Sequence, residues 1–153
     1  MNEMNPYARF AAMVAVSTTA MFGLMYLNTY EAEHVFFSQT RAWMALVMGA
    51  TMAVIMLGFM RHMLKSGRAN AAIAIAGVLA FAVSLWLVRS QATVNDISYM
   101  KAMIPHHSIA IMTSRRANID DPRVRELADA IVEAQVHEIA EMKSLIAELE
   151  RQR

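Results

Sequence analysis

Three long runs carry no charged side chain, Phe10–Asn28, Trp43–Met60 and Asn70–Val88, and short polar segments separate them. Each run is close to the roughly 20 residues that a helix rising about 1.5 Å per residue needs to cross a hydrocarbon core. The pattern predicts three transmembrane helices at about 9–29, 42–61 and 69–89. The intervening segments read as loops. Thr29–Arg41 holds Glu31, Glu33 and His34, and Arg61–Arg68 holds Arg61, His62, Lys65, Ser66 and Gly67.

Past Arg89 the pattern changes. A polar linker, Ser90–Asp96, leads into helix-forming sequence interrupted at Asn118–Pro122. Asp121 followed by Pro122 supplies an N-cap and a first-turn proline, so the last helix is expected to begin there and to run nearly to Arg153. Val124, Leu127, Ile131, Ile139, Met142, Ile146 and Leu149 recur at mostly three- and four-residue steps, which predicts a single apolar stripe. In the preceding segment, residues 95–117, Pro105 predicts either a kinked helix or a break before Ile104 with a restart at Pro105.

These two segments are expected to pair as an antiparallel hairpin. Two amphipathic helices do not enclose a core alone, so the hairpin is expected to pack on another copy or on the membrane part, and the chain to form a homo-oligomer. The fold class is therefore all-α: a membrane domain at 1–90 and an exported helical domain at 91–153.

Charge gives the direction. Arg61, Lys65 and Arg68 crowd the second loop against a single basic residue in the first, which puts the second loop and the N-terminus in the cytoplasm. Tyr26, Tyr30, Trp43 and Trp86 fall at the ends assigned to the outer interface, so everything after Arg89 is expected outside. The first run is longer than a signal peptide's apolar region and no small-x-small site follows it, so it is read as an anchor. A hydrophobic content of 57% agrees with lipid contact. A net charge of +1, from 14 basic and 13 acidic side chains, leaves no footprint for nucleic acid.

Cysteine is absent, which excludes disulfides, iron–sulfur clusters and thiolate zinc sites, whereas methionine occurs 15 times. Met100, Met103, His106, His107 and Met112 crowd one stretch, and Met103 and His107 are four residues apart on one helix face. His106 points about 100° away from His107. On the last helix, His137 and Met142 are a candidate second set. Thioether beside imidazole suits Cu(I) better than zinc, magnesium or calcium. The alternative for the methionines, Met142 above all, is simple core filling.

The run Met103-Ile-Pro-His-His107, with Ala110 and Met112, Asp121-Pro-x-Val-Arg125 and Gln135-x-x-Glu138-Ile139-x-x-Met142, resembles the family of domains of unknown function numbered 305 from about Ser98 onward. That resemblance implies a ferritin-like helical fold and copper binding in the bacterial periplasm. It points to Met103, His106, His107, Met112 and Met142 as ligands. Ser108 departs from the pattern, standing where glutamine is common, and His137 occupies a variable position. A di-iron site is not expected, because neither exported helix carries Glu-x-x-His. The zinc-protease pattern is also incomplete.

Met44, Met48, Met52, Met56 and Met60 stand at four-residue intervals in the second run. They are either a ladder of thioethers passing Cu(I), resembling the Met-x-x-x-Met element of eukaryotic copper transporters, or a packing ridge, and the absence of ionisable residues from the spans favours packing. The expectation is a non-enzymatic protein of the bacterial inner membrane that captures, buffers or hands over periplasmic Cu(I), in contact with the lipid bilayer and a copper-handling partner protein. The alternatives are a copper permease using the methionine row and a scaffold whose hairpin docks a partner helix.

Overall fold

The computed structural model describes residues 5–152. Among these the secondary structure is all helical: α1 Pro6–Leu24, a 3-10 turn at Ala32–His34, α2 Gln39–Phe59, α3 Gly67–Ser90, α4 Asp96–Arg116 and α5 Pro122–Arg151. The chain divides into two compact units. One holds α1, α2 and α3, with residues up to Met25 and Thr40–Thr93. The other holds Tyr26–Gln39 and the chain from Val94 onward.

In the first unit, α1, α2 and α3 are long and apolar enough to cross a membrane. Their most apolar stretches are only 6, 22 and 11% buried, so most of that surface faces outward. Asn5 caps α1 by accepting the Tyr7 N–H, with Pro6 in the first turn, and Ser66 caps α3 by accepting the Ala69 N–H. Gly49 and Gly77 let the helices approach closely: a Cβ on Gly49 would lie within 3.1 Å of Thr18 Cβ, and one on Gly77 would lie 2.7 Å from Val54 Cγ2. Phe10, Leu57 and Leu64 form the buried cluster, with Met56 and Met60 packed against it. Tyr7 ties the start of α1 to the α2–α3 connection, donating to Asn70 Oδ1 at 2.9 Å and accepting from the Ser66 N–H at 2.9 Å.

The first helix stops at Leu24, short of the expected residue 29. Tyr26 and Tyr30 belong to the second unit: the Tyr26 hydroxyl accepts the Ser38 N–H, and the Tyr30 N–H donates to Ser108 Oγ at 2.8 Å. Polar partners in the other unit have taken residues that hydropathy alone assigned to a span.

In that second unit, α4 and α5 pack antiparallel, with Lys101 paired to Glu150 at 2.6 Å near one end and Arg125 donating to the Ser114 carbonyl at 2.8 Å near the other. Asp121 caps α5 as expected, accepting the Arg123 N–H ahead of Pro122. Helix α4 runs unbroken through Pro105, so of the two expectations the break is wrong. Proline forfeits one backbone hydrogen bond, and burial on either side of it, at Met100 and Ile104 before and Ser108 and Ile111 after, holds the helix together.

The stripe on α5 is covered along only part of its length. Ile139, Met142, Ile146 and Leu149 join Ile97, Met100, Ile104 and Ile111 in the core, together with Val132, whereas Val124, Leu127 and Ile131 are exposed. Val124 and Met142, like Ile131 and Leu149, stand 18 residues or five helical turns apart and leave α5 in the same direction, so the two ends differ in what covers them and not in the face they occupy. The helix pair is also not left uncovered: Tyr30 and Phe36, from the segment after α1, pack against its core.

Candidate functional site

Helix α4 carries four of the expected donors. Met103 and Met112 are half-buried, His106 is exposed and His107 is mostly covered. The two imidazoles stand edge to face, with ring centroids 6.0 Å apart and planes at 67°. The consecutive histidines do not share one direction, as the helix turn requires, but they are close neighbours.

His107 is the fixed member. Its Nδ1–H donates to the Met103 carbonyl at 3.0 Å, one helical turn back, which turns Nε2 toward α5. There Nε2 lies 2.7 Å from Glu138 Oε2, and Gln135 Nε2 donates to the same oxygen at 3.3 Å. Orientation of an imidazole through one nitrogen, with the other presented to a ligand, is how metal-binding histidines are held. Glu138 is an addition to the donor set: its sequence pattern was visible, but its contact with His107 was not.

The expected second set does not assemble. His137 is exposed on α5, while Met142 packs against the core with Ile139 and Ile146. Five residues on a helix separate the two by about 140°. Met142 therefore occupies the core-filling role.

A different group converges in the segment before α2. Ligand atoms of Glu31, Glu33 and His34 all lie within 4.8 Å of one another. His34 is 6% exposed, with Nδ1 3.0 Å from Ser108 Oγ and Nε2 3.5 Å from Glu31 Oε2. Burial pushes its imidazole below the ordinary range and Lys143 pushes the same way, against the pull of Glu31 and Glu33. The Lys143 ammonium, 3.3 Å from Glu33 Oε2, holds that carboxyl below its usual range through a hydrogen bond and its charge. In the sequence these acids read only as loop polarity, although Glu31-x-x-His34 has a recognisable ligand spacing.

In the helical unit of α1–α3, a groove of about 570 Å³ is lined by small side chains including Ala15, Thr18, Gly49, Ala53, Ala76 and Ala80, and by no methionine among the described residues. Met44 and Met48 face outward, and Met56 and Met60 pack on the Phe10 cluster. The regular four-residue row thus winds from the outer surface of the unit into its core.

An all-helical chain with three span-grade helices and a histidine–methionine helix pair is the class these features define. The family described as Domain of unknown function (DUF305) matches residues 60–146, and the chain belongs to that family. The match begins at Met60, well before the expected Ser98, and takes in α3. A protein of Acanthamoeba polyphaga mimivirus, described as "Uncharacterized protein L153", is 40% identical over 68 residues, 43% of this chain and 45% of that protein. The chain thus aligns with less than half the length of this relative. No solved structure matches the chain.

Proposed function

We propose that this protein is a membrane-tethered Cu(I)-binding protein, not an enzyme, whose ferritin-like helical domain lies on the periplasmic side of a bacterial inner membrane and captures, buffers or hands on copper. The observation that carries the reading is the meeting at His107. Two pieces of family signature far apart in sequence, Met103-x-x-x-His107 and Gln135-x-x-Glu138, converge on one imidazole. His107 and His106 supply nitrogen and Met103, one turn before His107, supplies thioether sulfur, whereas Met112, five residues past His107 and about 140° round the helix from it, would join only from a second copy; a set free of cysteine keeps its ligand chemistry in an oxidising compartment. Copper arriving at Nε2 would compete with Glu138 for that nitrogen.

The membrane topology has its own support. Three crossings put the α1–α2 connection and everything after α3 on one face, and Tyr26–Gln39 does cluster with α4 and α5. The basic α2–α3 connection then faces the cytoplasm. Exposed Val124, Leu127 and Ile131 on α5 suit contact with a second copy or with a copper-handling partner. The methionine row lends no comparable support to a permease, because the groove among the three helices contains none of it.

The test is a Cu(I) titration of the purified full chain in detergent against a competing chelator. His106→Ala combined with His107→Ala is expected to weaken binding by more than about 100-fold. Unchanged affinity would remove the reading.

A further inference from the structure

The segment joining α1 to α2 contains a donor group independent of α4's methionines. Residues 32–34 form a 3-10 turn with Glu31 at its N-cap. Residues three apart eclipse in such a turn, so Glu31 and His34 are stacked on one edge. Glu33 completes the group, with all three ligand atoms within 4.8 Å of one another. Among the described residues no other three histidine or carboxylate side chains converge in this way.

The histidine is built in, not merely adjacent. Ser108 Oγ, fully buried on α4, accepts the Tyr30 N–H at 2.8 Å and holds His34 Nδ1 at 3.0 Å, leaving Nε2 aimed at the carboxylates. The 3.5 Å from Nε2 to Glu31 Oε2 is longer than a charge-assisted hydrogen bond, which lies near 2.7–2.9 Å. It is close to the separation, about 3.4 Å, of two donors at tetrahedral corners of one ion with bonds of about 2.1 Å. The His107–Glu138 pair, at 2.7 Å, has the hydrogen-bonding distance instead.

A cleft of about 100 Å³ opens beside the group, lined in part by Tyr30, Glu31, His34 and Arg115, and gives room for the waters of a hydrated ion. Arg115 is itself engaged by the Tyr30 hydroxyl at 2.9 Å. The Lys143 ammonium against Glu33 shows that a cation is accommodated there, and the exposure of Glu33, 72%, leaves that cation displaceable.

We propose that Glu31, Glu33 and His34 bind a borderline divalent cation of the Zn²⁺ type, at a site separate from the copper donors of α4. Two carboxylates and one imidazole suit such an ion and not Cu(I), which takes sulfur.

Zn²⁺ titration of the full chain in detergent, carrying no histidine tag, against a fluorescent chelator tests this. Glu31→Gln combined with Glu33→Gln changes only exposed side chains and is expected to weaken Zn²⁺ binding by about 30-fold or more. Lys143→Met removes the competing cation and is expected to tighten it several-fold. His106→Ala combined with His107→Ala, which removes the proposed copper site, is expected to leave this Zn²⁺ affinity within twofold. The proposal is overturned if the wild-type chain takes up no Zn²⁺ at about 0.1 mM. It is equally overturned if the double glutamine variant binds as tightly as wild type, or if Zn²⁺ binding vanishes with His106 and His107.

Discussion

His34 Nδ1 lies 3.0 Å from Ser108 Oγ, although 74 residues separate them in the chain. Both side chains are buried, and the same serine oxygen accepts the Tyr30 N–H. Ser108 stands where the family resemblance leads one to expect glutamine, and the contact gives that departure a physical meaning. A longer side chain at this fully buried point of α4 would occupy the space into which Tyr30 and His34 dock.

Ser108→Ala should therefore detach the segment without unfolding the helices. It leaves the Tyr30 N–H and the His34 ring short of a partner, at a cost of about 1–3 kcal/mol for an unsatisfied buried group. Amide hydrogen exchange followed by mass spectrometry should show faster exchange across Tyr26–Gln39 and little change in α5. Uniform protection in both regions would mean that the hydrogen bonds contribute nothing to docking.

The same imidazole makes a pH prediction for protein stripped of metal by a chelator. Burial and Lys143 lower the His34 value relative to the unfolded chain, with Glu31 and Glu33 opposing and Arg115 lining the same cleft. The unfolded chain then takes up a proton near the ordinary value of about 6.5, while the folded domain resists it to lower pH. This part of the stability is complete above about 6.5, declines as the pH falls below that value and levels off once the folded ring is also protonated. Thermal midpoints measured from pH 8 down to pH 5 should fall less steeply for His34→Asn than for wild type.

Close helix approach in the first unit predicts an asymmetry among glycines. Gly49→Val and Gly77→Val each drive new carbon atoms into Thr18 or Val54 and should destabilise by about 1–3 kcal/mol, as overpacking does. Gly23→Ala and Gly58→Ala meet nothing within 4 Å and should be neutral or slightly stabilising through helix propensity. Thermal unfolding in one detergent compares all four. Equal effects at all four positions would show that α1, α2 and α3 do not pack through Gly49 and Gly77.

What the sequence made legible was what neighbouring residues decide. The charge-free runs foretold α1, α2 and α3, and Asp121 with Pro122 foretold the start of α5, because hydropathy and capping act within a few residues. Pro105 misled in part, since burial along α4 outweighs one lost hydrogen bond. The apolar stripe was legible as one face, but which part of it is covered was not, because Ile139, Met142, Ile146 and Leu149 meet the core residues of α4 while Val124, Leu127 and Ile131 stay exposed. Tyr30 was legible as an interface aromatic and Glu31, Glu33 and His34 as loop residues, but not as one docked group, because their partners, Ser108, Arg115 and Lys143, arrive from helices far along the chain. The histidines and methionines of α4 were visible as chemistry, but Glu138 became part of the site only through the pairing of α4 with α5.

That pairing separates the candidate copper donors into those the fold presents and those it uses elsewhere. His107 is oriented by the Met103 carbonyl and faces Glu138, whereas Met142 packs into the apolar core and His137 is exposed without a hydrogen bond or ion pair among the described residues. His107→Ala should accordingly weaken Cu(I) binding by at least about tenfold, and Glu138→Gln, which keeps the shape but removes the carboxylate charge, should shift the affinity by a smaller factor. Met142→Leu conserves volume in the core and should leave both affinity and stability within about 1.5 kcal/mol of wild type. His137→Ala should do the same. The four variants, measured by Cu(I) chelator competition alongside thermal unfolding, fix the order of effects. If Met142→Leu matched the loss at His107→Ala while the protein stayed folded, the core methionine would have to leave its packing to reach the metal, and α5 would have to rotate against α4 for binding to occur.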